Sequence, residues 1–158
     1  MQIIIRKAEN KDVPRMLELI KELADFENEL HEVDVTESAL AEAGFGDVPK
    51  FTCFVADVDG IVQGMALIYF RFSTWKGSTV HLEDLIVTES YRGKGLGTKL
   101  YQQFLQFAKE NHVKRAQWEV LSWNTPAIEF YQKTGAKILK DWRVVQMTDV
   151  QYESYLDS

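Results

Sequence analysis

The chain has 158 residues, 46% hydrophobic and 27% charged, with a formal net charge of −6 at pH 7. That suits one ordinary domain over residues 1–158 with a buried core, and is too short for two. The negative balance argues against a nucleic-acid partner, and no apolar run approaches the roughly 20 residues of a membrane span.

The opening MQIIIRKAEN has an apolar run of only three residues and no small-residue cleavage site, so no signal peptide is expected. QIIIRKA (2–8) reads as a first strand. Asn10 or Asp12 then precedes DVPRMLELIKELADF, in which Val13, Met16, Leu17, Ile20, Leu23 and Ala24 recur at helical spacing. TESALAEAG is a second, short helix, capped by the Thr36 hydroxyl and stopping at Gly44. FTCFVADV and IVQGMALIYFRF are β-rich runs separated by Asp59-Gly60, a strong hairpin signal. TVHLEDLIV (79–87) is a further strand. It leads into SYRGKGLG and a helix whose apolar face is Leu100, Tyr101, Phe104, Leu105 and Ala108. AQWEVLSW reads as a strand, and NTPAIEFYQKTG as a short helix with Asn124 as cap, Pro126 in the first turn and Gly135 past its end. WRVVQM is a last strand, and the tail through Tyr155 and Leu156 a short helix. This order makes the fold class α/β, with a mixed, mostly antiparallel central sheet flanked by helices.

The single cysteine, Cys53, cannot close an intrachain disulfide, so a cytoplasmic location is expected, and FTCFVA reads as the setting of a buried, inert thiol. His31, His81 and His112 are far apart in sequence with no ligand-like spacing, and no metal site is expected.

Gly93, Gly95 and Gly97 alternate where a strand gives way to a helix, with Arg92, Lys94 and Lys99 among them. A Walker loop fails, because Gly97 is followed by Thr98 and then Lys99 with no matching glycine before. A dinucleotide fingerprint fails on its G-x-G-x-G spacing and its place past mid-chain. A helix N-terminus carries unpaired N–H groups and partial positive charge, and glycines let a phosphate approach it. The loop is therefore either an anion site or a glycine-rich turn with basic residues facing water.

Arg92-Gly93-Lys94-Gly95-Leu96-Gly97 resembles the Arg/Gln-x-x-Gly-x-Gly/Ala loop of the GNAT acetyltransferase superfamily, placed as there between strand and helix. IKELADFE (20–27), EAGFG (42–46), HLEDLIV (81–87), WN-x-PAI-x-FY (123–131) and DWR (141–143) extend the likeness nearly end to end to the spermidine/spermine and thialysine acetyltransferase branch. The resemblance implies the GNAT acyltransferase fold and acetyl-CoA as cosubstrate. It also implies a homodimer, with the last strand and helix at its interface. By the same likeness coenzyme contacts fall on Leu85, Ile86 and Val87 through their backbone, on Arg92 through Thr98, and on Asn124, Pro126 and Tyr131.

Acetyl transfer needs the amine to lose a proton and the departing thiolate to gain one. Tyr131 is the candidate acid by resemblance, since a phenol near pKa 10 keeps its proton at neutral pH; packing within its helix is the competing reading. Glu83 and Asp84 interrupt L-E-D-L-I-V on opposite sides of a strand, so one of them sits among apolar neighbours, where desolvation raises a carboxyl pKa. An ion pair is the alternative. The resemblance assigns Glu83 to the amine, as its binding group and base.

The same resemblance implies Phe26, Glu27, Trp75 and Trp142 as further substrate-binding candidates. Ser73-Thr74-Trp75 stands where polyamine-acetylating members carry Asp-Pro-Trp, which favours lysine-like compounds or short diamines over long polyamines. The expected function is acetyl transfer to a primary amine of a small cationic metabolite by direct attack. The rivals are a protein or peptide acetyltransferase of the same fold and a non-catalytic acyl-CoA sensor.

Overall fold

The computed structural model describes residues 1–158, and the chain falls into two units, Met1–Glu119 and Val120–Ser158. In the first, β1 (Ile3–Lys7), β2 (Thr52–Val58), β3 (Ile61–Ser73), β4 (Gly77–Val87) and β5 (Ala116–Trp118) form a sheet in sequence order. β1 to β4 are antiparallel and β4 pairs with β5 in parallel. Helices α1 (Val13–Phe26), α2 (Glu37–Phe45) and α3 (Leu96–Glu110) complete the unit. The mixed, mostly antiparallel sheet expected from the element order is the one observed.

The core has two sides because the sheet is buried on both faces. Val13, Met16, Leu17 and Leu19 of α1 and Leu40 of α2 pack with Cys53, Val55, Met65, Leu67 and Ile86. Phe54, one residue out of phase with Cys53, instead meets Phe107 of α3, ring centroids 5.9 Å apart. α3 contributes Leu96, Leu100, Tyr101 and Phe104, all buried, whereas Leu105 of the expected stripe is exposed and Phe107 takes its place. Burial drives the Cys53 thiol pKa well upward, as suits an inert core thiol.

Several local signals act as their chemistry dictates. Asp59 and Gly60 both take positive φ, 51° and 89°, and turn β2 into β3. The Thr36 hydroxyl accepts from Ala39 N–H at 3.1 Å and starts α2. Asp12 does not cap α1. It is buried, accepts two bonds from Arg6 at 2.8 and 3.1 Å, and receives Glu9 N–H at 2.7 Å. Gly44 does not end α2, which runs on to Phe45. A Cβ at Gly44 would lie 2.4 Å from the Phe51 ring, so the glycine serves packing and not termination.

Gly64 on β3 is a second close approach: a Cβ there would stand 2.8 Å from the Ile86 carbonyl oxygen and 3.2 Å from Leu100 Cδ1 and Val87 Cγ2. The carbonyl belongs to the sheet and cannot give way. Gly64→Ala is expected to lower the unfolding free energy by about 1–3 kcal/mol. Urea unfolding of both chains checks this, and coincident midpoints would refute it.

The second unit holds α4 (Thr125–Lys133) and α5 (Asp149–Leu156). Asn124 Oδ1 accepts from Ala127 N–H at 3.4 Å, Pro126 lies in the first turn, and Gly135 takes φ 97° beyond the end. Thr148 caps α5. The strand expected over 142–147 is not formed, and the one expected over 116–123 is reduced to Ala116–Trp118. Trp142, Val144 and Val145 are exposed, with no neighbouring strand to complete a ladder; β propensity supplies no partner by itself.

Candidate active site

β4 loses one of its neighbours midway. Its pairing with β5 covers only Val80, His81 and Leu82, against Ala116, Gln117 and Trp118. From Glu83 to Val87 that edge has no β5 partner, while the other edge continues along β3. Leu85, Ile86 and Val87, the expected backbone contacts, all lie on this unpaired stretch. The β3 ladder also slips here. Leu82 faces Ile68 and Asp84 faces Leu67, leaving Glu83 as the extra residue of a bulge. A bulge bends its strand and re-aims a side chain, and here it leaves Glu83 half-exposed, 3.6 Å from His81 Nε2.

Asp84 is the desolvated member of the pair. Burial first, then the charges of Glu83 and Glu27, push its pKa up to about 7. Glu27, at the end of α1, is raised as well, by burial and then by Glu29. No cation offsets Asp84: each influence on it acts in the same direction. Carboxylates gathered without a counter-ion favour an incoming cation, and a carboxyl near neutral pKa can exchange a proton at physiological pH.

Glu22 ties this region together. It accepts from Thr88 Oγ1 and from Glu89 N–H, both at 2.9 Å, which pins α1 to the end of β4. Arg92 turns back toward the same place. Its Nε donates to the Val87 carbonyl at 3.0 Å, Nη2 lies 3.8 Å from Glu22, and the guanidinium stacks 5.5 Å from the Phe26 ring centroid. Phe26, a substrate candidate from sequence, thus carries a cation on one face.

The glycine loop follows directly. Gly93 and Gly95 take φ 75° and 84°, and a Cβ at either would meet nothing within 4 Å. Gly97 needs no such freedom; a Cβ there would make ordinary contact with Val87 Cγ2 at 3.7 Å. α3 begins at Leu96 with no side-chain cap, whereas α2, α4 and α5 each have one. The first-turn N–H groups of Leu96, Gly97 and Thr98 therefore present a polar, positively biased end. Lys94 Nζ lies 4.5 Å from the Tyr91 ring centroid, and Lys99 lines a shallow cleft with Ile3 and Ile5.

Trp75 stands exposed at the β3–β4 turn, where Ser73 Oγ accepts from the N–H groups of Trp75 and Lys76, each at 3.1 Å. In the second unit, Tyr131 is half-buried on α4 with its ring 5.6 Å from Phe130, and Trp142 is exposed. Contrary to the expectation of no metal-ligand grouping, Glu29, His31 and Glu32 bring a ligand atom each within 4.8 Å, all at the exposed surface.

Residues 8–136 match the model of the acetyltransferase (GNAT) family. The chain belongs to that family. This GNAT chain is 37% identical over 145 residues to the thialysine N-epsilon-acetyltransferase of Mus musculus, covering 87% of this chain and 85% of the mouse protein. It is 37% identical over 139 residues to the Homo sapiens spermidine/spermine N(1)-acetyltransferase-like protein 1, covering 84% of this chain but 20% of that longer protein. Its fold matches that of an aminoglycoside N-acetyltransferase in complex with CoA at a TM-score of 0.72 and 18% identity, covering 94% of this chain and 95% of the other. This GNAT chain is thus an acetyl-CoA-dependent N-acetyltransferase of the thialysine and spermidine/spermine branch.

The loop of this GNAT chain fits the pyrophosphate of coenzyme A: two left-handed glycines with open space at their Cα atoms lead into an uncapped helix start. His81, Glu22 and the Glu83 bulge escaped the sequence reading. Only His81 left a trace, two residues before Glu83 on one strand, where side chains return to the same side.

Proposed function

We propose that this chain acetylates the primary amine of a small cationic compound, lysine-like or a short diamine, by direct attack on acetyl-CoA. The carboxyl of Asp84, half-buried and under the charges of Glu83 and Glu27, carries this reading, because it provides negative charge with no cation to offset it. Glu27 and Asp84 hold the ammonium group. Glu83, at the bulge, takes the proton of the attacking nitrogen. Acetyl-CoA supplies an activated thioester. The backbone of Leu85, Ile86 and Val87 orients the arm that bears it, the first turn of α3 with residues 92–98 holds its phosphates, and Asn124 and Pro126 add contacts. Tyr131 donates a proton on the leaving-group side. Trp75 and Trp142 complete the substrate's surroundings.

The Ser73 hydroxyl is occupied by the turn and brings no carboxylate to the hairpin tip, which favours short substrates over long polyamines. The likeness to the mouse thialysine N-epsilon-acetyltransferase points the same way. The family match from 8 to 136 crosses the division near residue 119, in favour of one functional domain over 1–158. The exposed apolar residues Trp142, Val144, Val145 and Met147 favour a homodimer, and the lone buried thiol favours the cytoplasm.

Thiol release from acetyl-CoA over a panel of thialysine, lysine, diamines, spermidine, spermine and lysine-containing peptides tests the reading. The expected result is kcat/KM at least tenfold higher for thialysine or a short diamine than for spermine or any peptide. Turnover confined to peptides would establish the protein-acetylating rival. Coenzyme binding without turnover on any amine would establish the sensor.

A further inference from the structure

Glu83 does not stand alone at its bulge. His81, buried on the same strand, places Nε2 3.6 Å from Glu83 Oε2, and Arg71 on β3 places Nη1 3.3 Å from the other ring nitrogen, Nδ1. Tyr69, paired with His81 across the β3–β4 ladder, lies with its ring centroid 5.1 Å from the imidazole. The tautomer follows from donor chemistry. A guanidinium has donors only, so Nδ1 must offer its lone pair to Arg71, and the proton of the neutral ring sits on Nε2, directed at Glu83.

We propose that His81 is a positioning residue for Glu83, with Arg71 fixing the imidazole so that Nε2–H faces the carboxylate at the bulge from 3.6 Å. This rests on the reading of Glu83 as the group that takes the amine's proton. Because Nε2 already carries a proton, His81 cannot relay one away from Glu83; it orients the carboxylate.

The charged and titratable groups facing the ring come from every side: Glu83 on β4, Tyr69 and Arg71 on β3, and Glu119 just beyond β5. Burial first, and then Arg71, depress the His81 pKa against the opposing pull of Glu83 and Glu119, which keeps the ring neutral near pH 7. Tyr69 is held protonated beyond its usual range by burial, by the charge of Glu83 and by a hydrogen bond to it. Its phenol faces the same carboxylate as the imidazole does.

Two measurements on the full chain test this. Long-range proton–nitrogen NMR of the histidine rings, with His81 assigned through His81→Gln, reads the tautomer. The Nε2–H form is expected from pH 6.5 to 8, and a mixture of neutral tautomers in Arg71→Gln, a substitution at an exposed position. An Nδ1–H ring or a doubly protonated one at pH 7 would overturn the proposal. The second measurement is the pH profile of kcat/KM for the amine. Loss of the donor in His81→Phe is expected to move the acid limb upward by about half a pH unit, while His81→Gln, which keeps an N–H donor, restores the original limb. Coincident limbs in all three chains would overturn the proposal. Glu83→Gln separates the two layers: an unaltered profile there removes Glu83 as the base and the positioning role with it, whatever tautomer the spectra report.

Discussion

Asp84→Asn is expected to lower kcat/KM for the amine by about 10²-fold, chiefly through KM, and at the same time to stabilise the fold above neutral pH. The two effects share one cause. A carboxyl whose pKa rises from an ordinary 3.8 to about 7 on folding costs the fold about 4 kcal/mol once ionised, less whatever local relaxation recovers. The sign follows from proton counts. Between about pH 4 and 7 the folded chain holds a proton that the unfolded chain has released, so the contribution of this group to stability declines as pH rises through that window. Above pH 7 the whole penalty applies. The asparagine chain should therefore melt several degrees higher at pH 8 and at nearly the same temperature at pH 4. A bound ammonium group offsets the penalty in the unaltered chain, so amine affinity should rise with pH through 7, and asparagine should flatten that dependence. Thermal melts at the two pH values, alongside amine KM, check both halves. A variant with unchanged KM would remove Asp84 from the amine site, and one that melts no higher at pH 8 would mean its carboxyl is not held out of water.

Tyr131→Phe is expected to reduce kcat by about 10²–10³-fold while leaving the KM for acetyl-CoA within twofold, the pattern of a lost proton donor and not of a lost binding contact. Phenylalanine keeps the ring that meets Phe130, and the bond from Thr134 Oγ1, at 2.7 Å, goes to the backbone carbonyl of Tyr131. Steady-state kinetics with each substrate varied in turn decide the matter. Undiminished turnover would leave Tyr131 as a packing residue of α4.

What the sequence made legible was local chemistry. Asp59-Gly60 specified its turn, Thr36 and Asn124 their helix starts, Gly135 a helix end, and Gly93 and Gly95 a bare loop between strand and helix. What it hid depended on partners distant in the chain. Gly44 resembles a helix stop until Phe51 is seen against it. Asp12 resembles a cap until Arg6 claims it. WRVVQM has strand-forming residues but no neighbour to pair with. The adjacent carboxylates were visible, and so was the physical certainty that a strand would treat them differently. Which one would be buried depended on the slip in register between Leu67 and Ile68, which no periodicity announces. The slip moves Asp84 into register with Leu67, so the most consequential irregularity of the site was also the least readable.

An unpartnered strand is a hazard as well as an opportunity. The open side of β4 from Glu83 to Val87 is a short docking rail for extended chains, and any passing polypeptide with matching groups could add itself there and seed polymerisation. Two features blunt that risk. The bulge spoils the even spacing a foreign strand would need, and the Arg92 side chain occupies the Val87 carbonyl at the far end. What is left is too brief and too uneven for a protein strand, yet long enough for a small flexible tether to lie along.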